Sequence, residues 1–154
     1  MSLEELKIID ATSIPISKLI AMIFRGHTVY INHHLDYLDI NAAQLHLLFE
    51  ISHQKEINQE QIASRCNINK GSVARSIKKL EEKGLIIRKP DSQNRRQNKI
   101  SLTTDGRKTL DESIKLLSEW EDEIFKNDII EKELLQKALK EIAIKIIELN
   151  QIGE

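Results

Sequence analysis

Aromatic residues make up only 4% of this 154-residue chain, so a role that depends on stacking bases on aromatic platforms is poorly provided for. Cysteine occurs once, which excludes an intrachain disulfide and makes a reducing cytoplasm the expectation. No apolar run approaches the roughly 18 residues of a membrane span. The opening Met1-Ser2-Leu3-Glu4-Glu5 also lacks the basic start of a signal peptide. Missing too are a phosphate-cradling Gly-rich loop, HExxH, CxxC and a nucleophile elbow, so neither an enzyme nor a bound cofactor is expected. What is present, 40% hydrophobic and 31% charged residues, fits one soluble, helix-rich globular domain.

The chain is organised around Asn58 to Thr103. Asn58 is suited to cap a short helix whose apolar members, Ile62 and Ala63, precede a break at Asn67. Asn69 is suited to cap a second. Within that second helix Val73, Ile77 and Leu80 recur at i, i+4, i+7 as one buried stripe. Gly71, Arg75, Lys78, Lys79 and Glu82 face the other way, with Ser72 at the rim. Gly84 follows as a helix terminator. Leu85–Lys89 and Lys99–Thr103 read as short strands, with Ile57 placed to add a third. Between the two lies a polar, turn-rich link, Pro90 to Asn98, that carries Arg95 and Arg96. Two short helices followed by a basic-tipped hairpin describe a winged helix-turn-helix. Arg65 to Lys99 holds eleven basic and three acidic side chains, a net of +8, whereas the whole chain is −1 and the remainder therefore −9. A cationic element in an acidic protein is what phosphate neutralisation at one face requires.

At this point the sequence resembles the MarR-type (multiple-antibiotic-resistance regulator) family. Asn69 to Leu85 is similar to its recognition helix through Val73, Arg75, Leu80, Glu81, Glu82, Lys83, Gly84 and Leu85. Leu102-Thr103-Thr104-Asp105-Gly106-Arg107 resembles the LTxxGR that closes the wing and starts the next helix. Asn41-Ala42-Ala43-Gln44 is similar to the T-x-x-Q that opens the second helix. The chain departs from the family at Asn94, where an Asp often stands two residues before the wing arginine, here Arg96, and at Gly71 and Ser76, where more helix-favouring or bulkier residues are common.

The two ends of the chain are apolar beyond the needs of a small winged domain. Residues 1 to 12 form an acidic lead-in that is partly helical. Pro15 suits a first helical turn, with Ser13 as its cap. Ile16, Ile20, Ile23, His27, Tyr30 and His34 then repeat in steps of four and three, flanked by Phe24, Ile31, Leu35 and Leu38. Asp39 and Asn41 end that pattern, and Leu45, Leu48 and Phe49 carry the next helix. After Gly106 a long helix points Leu110, Ile114, Leu117 and Ile124 inward, with Trp120 beside them, until Asn127-Asp128 breaks it. A last helix carries Leu135, Leu139, Ile142, Ile146 and Leu149. A second copy of the chain is the simplest cover for these faces, and the resemblance implies the same interlocking of first and last helices. The expected fold is thus mainly α with a small β-wing (α+β). It is one MarR-like domain over 1–154, with a winged core at about 40–104 and dimerisation helices at about 13–38 and 105–150.

A homodimer places two recognition helices in successive major grooves of double-stranded DNA, so a near-palindromic operator is expected. Lys70, Ser72, Arg75, Ser76 and Lys79 are then the candidates to meet base edges and flanking phosphates. Arg75 is the foremost reader, because its fork matches guanine O6 and N7. Arg95 and Arg96 resemble the family's wing residues that reach the adjacent minor groove. The resemblance also implies regulation by a small aromatic or anionic ligand that relieves repression. His27, Tyr30 and His34, on one seam, are candidates to line its pocket, or else are packing or interface residues. A metal site is not expected, because His27, His33 and His34 have no Cys or carboxylate at ligand spacing. Cys66, where the family usually has Leu, reads as a packing residue ahead of a redox sensor. The competing function is a winged-helix module for protein–protein contact, its basic wing serving an acidic partner.

Overall fold

Three asparagines start three successive helices. Each lies in extended backbone and accepts a main-chain N–H three residues on: Asn41 from Gln44 (2.9 Å), Asn58 from Gln61 (2.8 Å) and Asn69 from Ser72 (2.8 Å). At the first two, the glutamine side chain accepts the asparagine's own N–H in return, so two otherwise orphaned donors are satisfied together. That reciprocity is the physical content of Asn41-x-x-Gln44.

The computed structural model describes residues 1–54, 56–91, 98–126 and 131–151. Its helices are α1 (Leu3–Ile8), α2 (Ile16–Leu35), α3 (Ala42–Ser52), α4 (Gln59–Cys66), α5 (Lys70–Glu82), α6 (Thr104–Ile124) and α7 (Lys132–Gln151). Short 3-10 turns lie at Ala11–Ser13 and Asp36–Leu38. Strands β1 (Ile86–Pro90) and β2 (Asn98–Leu102) pair antiparallel, from Ile86 opposite Leu102 to Pro90 opposite Asn98. Ile57 adds an isolated bridge to Ile100, exchanging both main-chain hydrogen bonds (3.1 and 2.7 Å). A mainly helical fold with a small wing is therefore what forms. None of the described helices is long and apolar enough to cross a membrane.

Two compact units are present, Met1–Ile114 and Lys115–Glu154. The first holds the core. Ile31 and Leu35 of α2, Leu45, Leu48 and Ile51 of α3, Ile62 of α4, Val73, Ile77 and Leu80 of α5, Ile86, Ile100 and Leu110 are all buried. In the second unit no described residue of α7 is buried. There Lys132 ties α7 back to α6 through Glu121 (2.6 Å) and sits 5.8 Å over the Phe125 ring.

Several details differ from the sequence reading. Ser13 does not cap α2. Asp10 caps the turn before it, taking the Thr12 N–H, while the Ser13 hydroxyl donates to the Asp10 carbonyl, and Pro15 occupies the N-cap without a side-chain bond. Each strand begins one residue earlier or later than expected, because Leu85 closes α5 and Thr103 starts α6. Ile114 and Ile124 are not inward within one chain: they are 43% and 51% exposed. Inward packing of α6 in the first unit is carried by Leu110 and Ser113. The break expected at Asn127-Asp128 lies outside the described residues, and α6 has already ended at Ile124.

Candidate nucleic-acid interface

Helix α5 has two chemically opposite sides. Val73, Ile77 and Leu80 are buried, and Gly71, Arg75, Lys78, Lys79 and Glu82 are exposed, with Ser72 and Ser76 half-buried between them. Both helices of the α4–turn–α5 unit are ended by left-handed residues. Asn67 (φ 50) lets the Ile68 N–H reach back to Ala63 (3.0 Å) and ends α4. Gly84 (φ 70) lets Gly84 and Leu85 bond back to Glu81 and Leu80 (2.9 and 3.0 Å) and ends α5. The helix is thereby stopped three residues short of the first wing strand.

The cations of this region are not equally available. Arg65 pairs with Glu50 (2.8 Å), Lys70 with Glu60 (2.7 Å), Lys78 with Glu82 (3.8 Å) and Lys83 with Asp39 (3.1 Å). Arg88 grips Glu81 through Nε (2.8 Å) and Nη2, and Lys99 meets Glu56 (2.7 Å) and Asp91 (3.8 Å). Arg75, Lys79 and Lys89 make no ion pair with a described residue. Arg75 is oriented by its own helix, donating from Nη2 to the Ser72 hydroxyl (3.1 Å). Among the described residues, two of the three cations of this segment left for another anion, Arg75 and Lys79, thus stand on the exposed side of α5. Hydrogen bonding to Arg88 holds the Glu81 carboxyl below its usual range, so at neutral pH the pair stays ionised.

The wing is joined to α5 at its base by Thr103. Its N–H donates to the Leu85 carbonyl (3.1 Å), its hydroxyl donates to the Gly84 carbonyl (2.6 Å), and its oxygen accepts the Gly106 N–H (3.0 Å), capping α6. The contact is so close that a Cβ on Gly106 would lie 1.9 Å from the Leu85 carbonyl oxygen. This explains the glycine of the LTxxG-like stretch. Arg95 and Arg96, the predicted tip residues, lie outside the described residues.

His27, Tyr30 and His34 are half-buried along α2. Tyr30 and His34 stack on each other (ring centroids 3.9 Å, planes 22° apart), and His33 meets His34 edge-on at 5.3 Å. His34 Nδ1 is 2.8 Å from the Tyr30 carbonyl, which can only accept, so that nitrogen carries its hydrogen. Burial pulls the His27 imidazole below its usual range. Among the described residues no group of three or more His, Cys, Asp or Glu is disposed to hold a metal ion. Burial, and then the Glu50 carboxylate, push the Cys66 thiol up, so at neutral pH it is protonated and a poor nucleophile.

Sequence reasoning missed the pairing roles of Asp39, Glu50, Glu56, Glu60, Glu81 and Asp91, the acids that divide committed from available cations. Only the i,i+4 pair Lys78–Glu82 has a spacing that announces itself.

Taken together, capped α4 and α5, the stapled hairpin and the one-sided cationic helix define a winged helix-turn-helix. The comparisons with known proteins agree. A sequence model of the MarR family matches residues 40–97. The crystal structure of a MarR protein is 30% identical, covers 93% of this chain and 97% of its own, and superposes with a TM-score of 0.83. A mutant of MarR from E. coli, solved in complex with operator DNA, is 26% identical over 87% of this chain and 99% of its own, with a TM-score of 0.74. Among curated proteins, the HTH-type transcriptional regulator YdgJ of Bacillus subtilis is 31% identical over 57% of this chain; the match spans about half of that relative, 54%. The chain belongs to the MarR family of transcriptional regulators.

Proposed function

We propose that the chain is a dimeric, sequence-specific DNA-binding regulator of the cytoplasm, most simply a repressor relieved by a small ligand. The observation that carries this is the exposed side of α5, where Arg75 and Lys79 make no ion pair with a described residue, while Arg65, Lys70, Lys83 and Arg88 are committed to protein acids. A rigid helix with unneutralised cations and two hydroxyls on one side suits a major groove: Arg75 reads a guanine edge, Lys70, Ser72, Ser76 and Lys79 meet base edges and flanking phosphates, and Arg95 and Arg96 extend to the minor groove. The operator complex of the E. coli relative supports the same docking for this chain.

Dimerisation is supported by the apolar surface that one chain leaves uncovered. On α2, Ile16, Ile23 and Phe24 are 66%, 63% and 69% exposed, and on α7 Leu134, Ile147 and Leu149 are 62%, 56% and 69% exposed. Exposure on this scale marks an interface. A second copy covers it and sets two α5 helices one DNA turn apart on a near-palindrome. In this reading His27, Tyr30 and His34 line the ligand pocket.

The test is fluorescence-anisotropy titration of the DNA upstream of the protein's own gene against a scrambled duplex, at several salt concentrations. Saturable binding at two chains per site, tighter on the upstream DNA and falling steeply with salt, is expected. Equal, weak and salt-insensitive binding to both duplexes would sink the proposal. Release of the DNA by aromatic carboxylates, lost on Tyr30→Ala or His34→Ala, tests the pocket.

A further inference from the structure

Lys70 is the first residue of α5, and Glu60 lies in the first turn of α4. The Lys70 ammonium is 2.7 Å from Glu60 Oε1, and neither side chain has another partner among the described residues. Both are largely in solvent, 71% and 62% exposed. The pairs Arg65–Glu50, Lys83–Asp39, Arg88–Glu81 and Lys99–Glu56 each bury at least one member more deeply and brace neighbouring elements of the core. A pair this exposed adds little to stability. The α4–α5 turn has its own fasteners in the Asn67 termination, the Asn69 cap and the buried Ile62 and Val73. What the Glu60 carboxylate does change is the charge at the leading end of α5.

We propose that Glu60 is a positioning residue that occupies Lys70 in the unbound protein, so that DNA phosphate has to displace a carboxylate to gain the Lys70 contact. The inference rests on the DNA-binding reading above. Exchanging carboxylate for phosphate leaves a free anion behind and cancels most of the gain from counterion release that a lysine otherwise brings. Because a phosphate contact carries no sequence information, Glu60 lowers affinity for all DNA while leaving sequence preference unchanged. It thereby keeps the protein off bulk DNA.

The experiment compares wild type, Glu60→Gln, Lys70→Gln and the double variant in the anisotropy assay, on operator and scrambled duplexes across a salt series. Glu60→Gln is expected to tighten binding to both duplexes by about two- to fivefold per subunit, the range of an exposed ion pair. It is also expected to steepen the slope of log K against log salt by about 0.9 per subunit. In the Lys70→Gln background the same change is expected to have little effect on either quantity. Equal tightening with and without Lys70 would overturn the proposal in favour of plain repulsion between Glu60 and DNA, and so would an unchanged salt slope in Glu60→Gln. Wild type that binds no duplex specifically would instead remove the DNA reading itself.

Discussion

Gly106→Ala separates the two effects a glycine has in a helix. At an exposed helical position the added methyl gains up to about 1 kcal/mol of helix propensity. At Gly106 that methyl would stand 1.9 Å from the Leu85 carbonyl oxygen and 2.8 Å from its carbon, where real Cβ contacts stay beyond 3.0 Å. The start of α6 and the end of α5 have to part by about 1.1 Å. Both sides are backbone, so no side chain can swing away. Overpacking of this kind costs about 1–3 kcal/mol. Parting the two segments also strains the Thr103 bonds to Leu85 and Gly84, and losing one or two of them adds roughly 0.5–1.5 kcal/mol each. Set against the gain in propensity, the middle of these ranges gives a net loss of about 3 kcal/mol, or about 6–12 °C in Tm for a chain of this size. Urea unfolding at fixed protein concentration, followed by circular dichroism, measures it, with the midpoint falling and the m-value unchanged. A variant within 1 kcal/mol of wild type would show that the α5–wing–α6 junction yields freely and that the close approach has no energetic weight.

Gly71→Ala is the opposite case: its Cβ would meet only Asn69 Oδ1 at an ordinary 3.5 Å, so stability should rise by up to about 1 kcal/mol, and a fall in the melting temperature would contradict this. Arg75→Ala should cost roughly 1–3 kcal/mol on the operator and relax preference at one base position per half-site; a selection from randomised duplexes checks it, and uniform weakening on every sequence would argue for a phosphate contact only. Cys66, its thiol held protonated by burial and Glu50, should be alkylated by iodoacetamide more slowly in the folded protein than in guanidinium at neutral pH. Equal rates would reopen a redox role.

How far the fold was legible in the sequence depended on how local each cause is. The caps at Asn41, Asn58 and Asn69 and the stop at Gly84 act within a few residues, and they stand where the sequence places them. The stripe Val73, Ile77, Leu80 obeys helical periodicity and is buried. Ser13 fails as a cap because Asp10 starts a turn of its own over Ala11–Ser13, in which the Ser13 hydroxyl donates to the Asp10 carbonyl and Pro15 is left at the N-cap of α2. Ile114 and Ile124 follow the inward periodicity of α6, yet periodicity says which side is apolar and not whether the same chain covers it. The α5 side of the candidate site was readable, but the availability of its charges was not. Lys83 and Asp39 are 44 residues apart and Arg65 and Glu50 are 15 apart, and no pattern in the sequence distinguishes them from solvated ions.

The Thr103 staple has a consequence for how such a regulator can diversify. The hairpin stem is registered at its base by the Thr103 bonds to Gly84 and Leu85, and at its middle by the Ile57–Ile100 bridge. Lys99 adds an anchor through Glu56. Lys99 also reaches Asp91 (3.8 Å), the first residue past Pro90. With the stem registered at its base and middle, a change of sequence beyond Asp91 need not transmit strain to α5 or α6, which makes the outer hairpin an interchangeable part. Tips exchanged between relatives should retune which flanking sequences are tolerated while the half-site read by α5 stays the same.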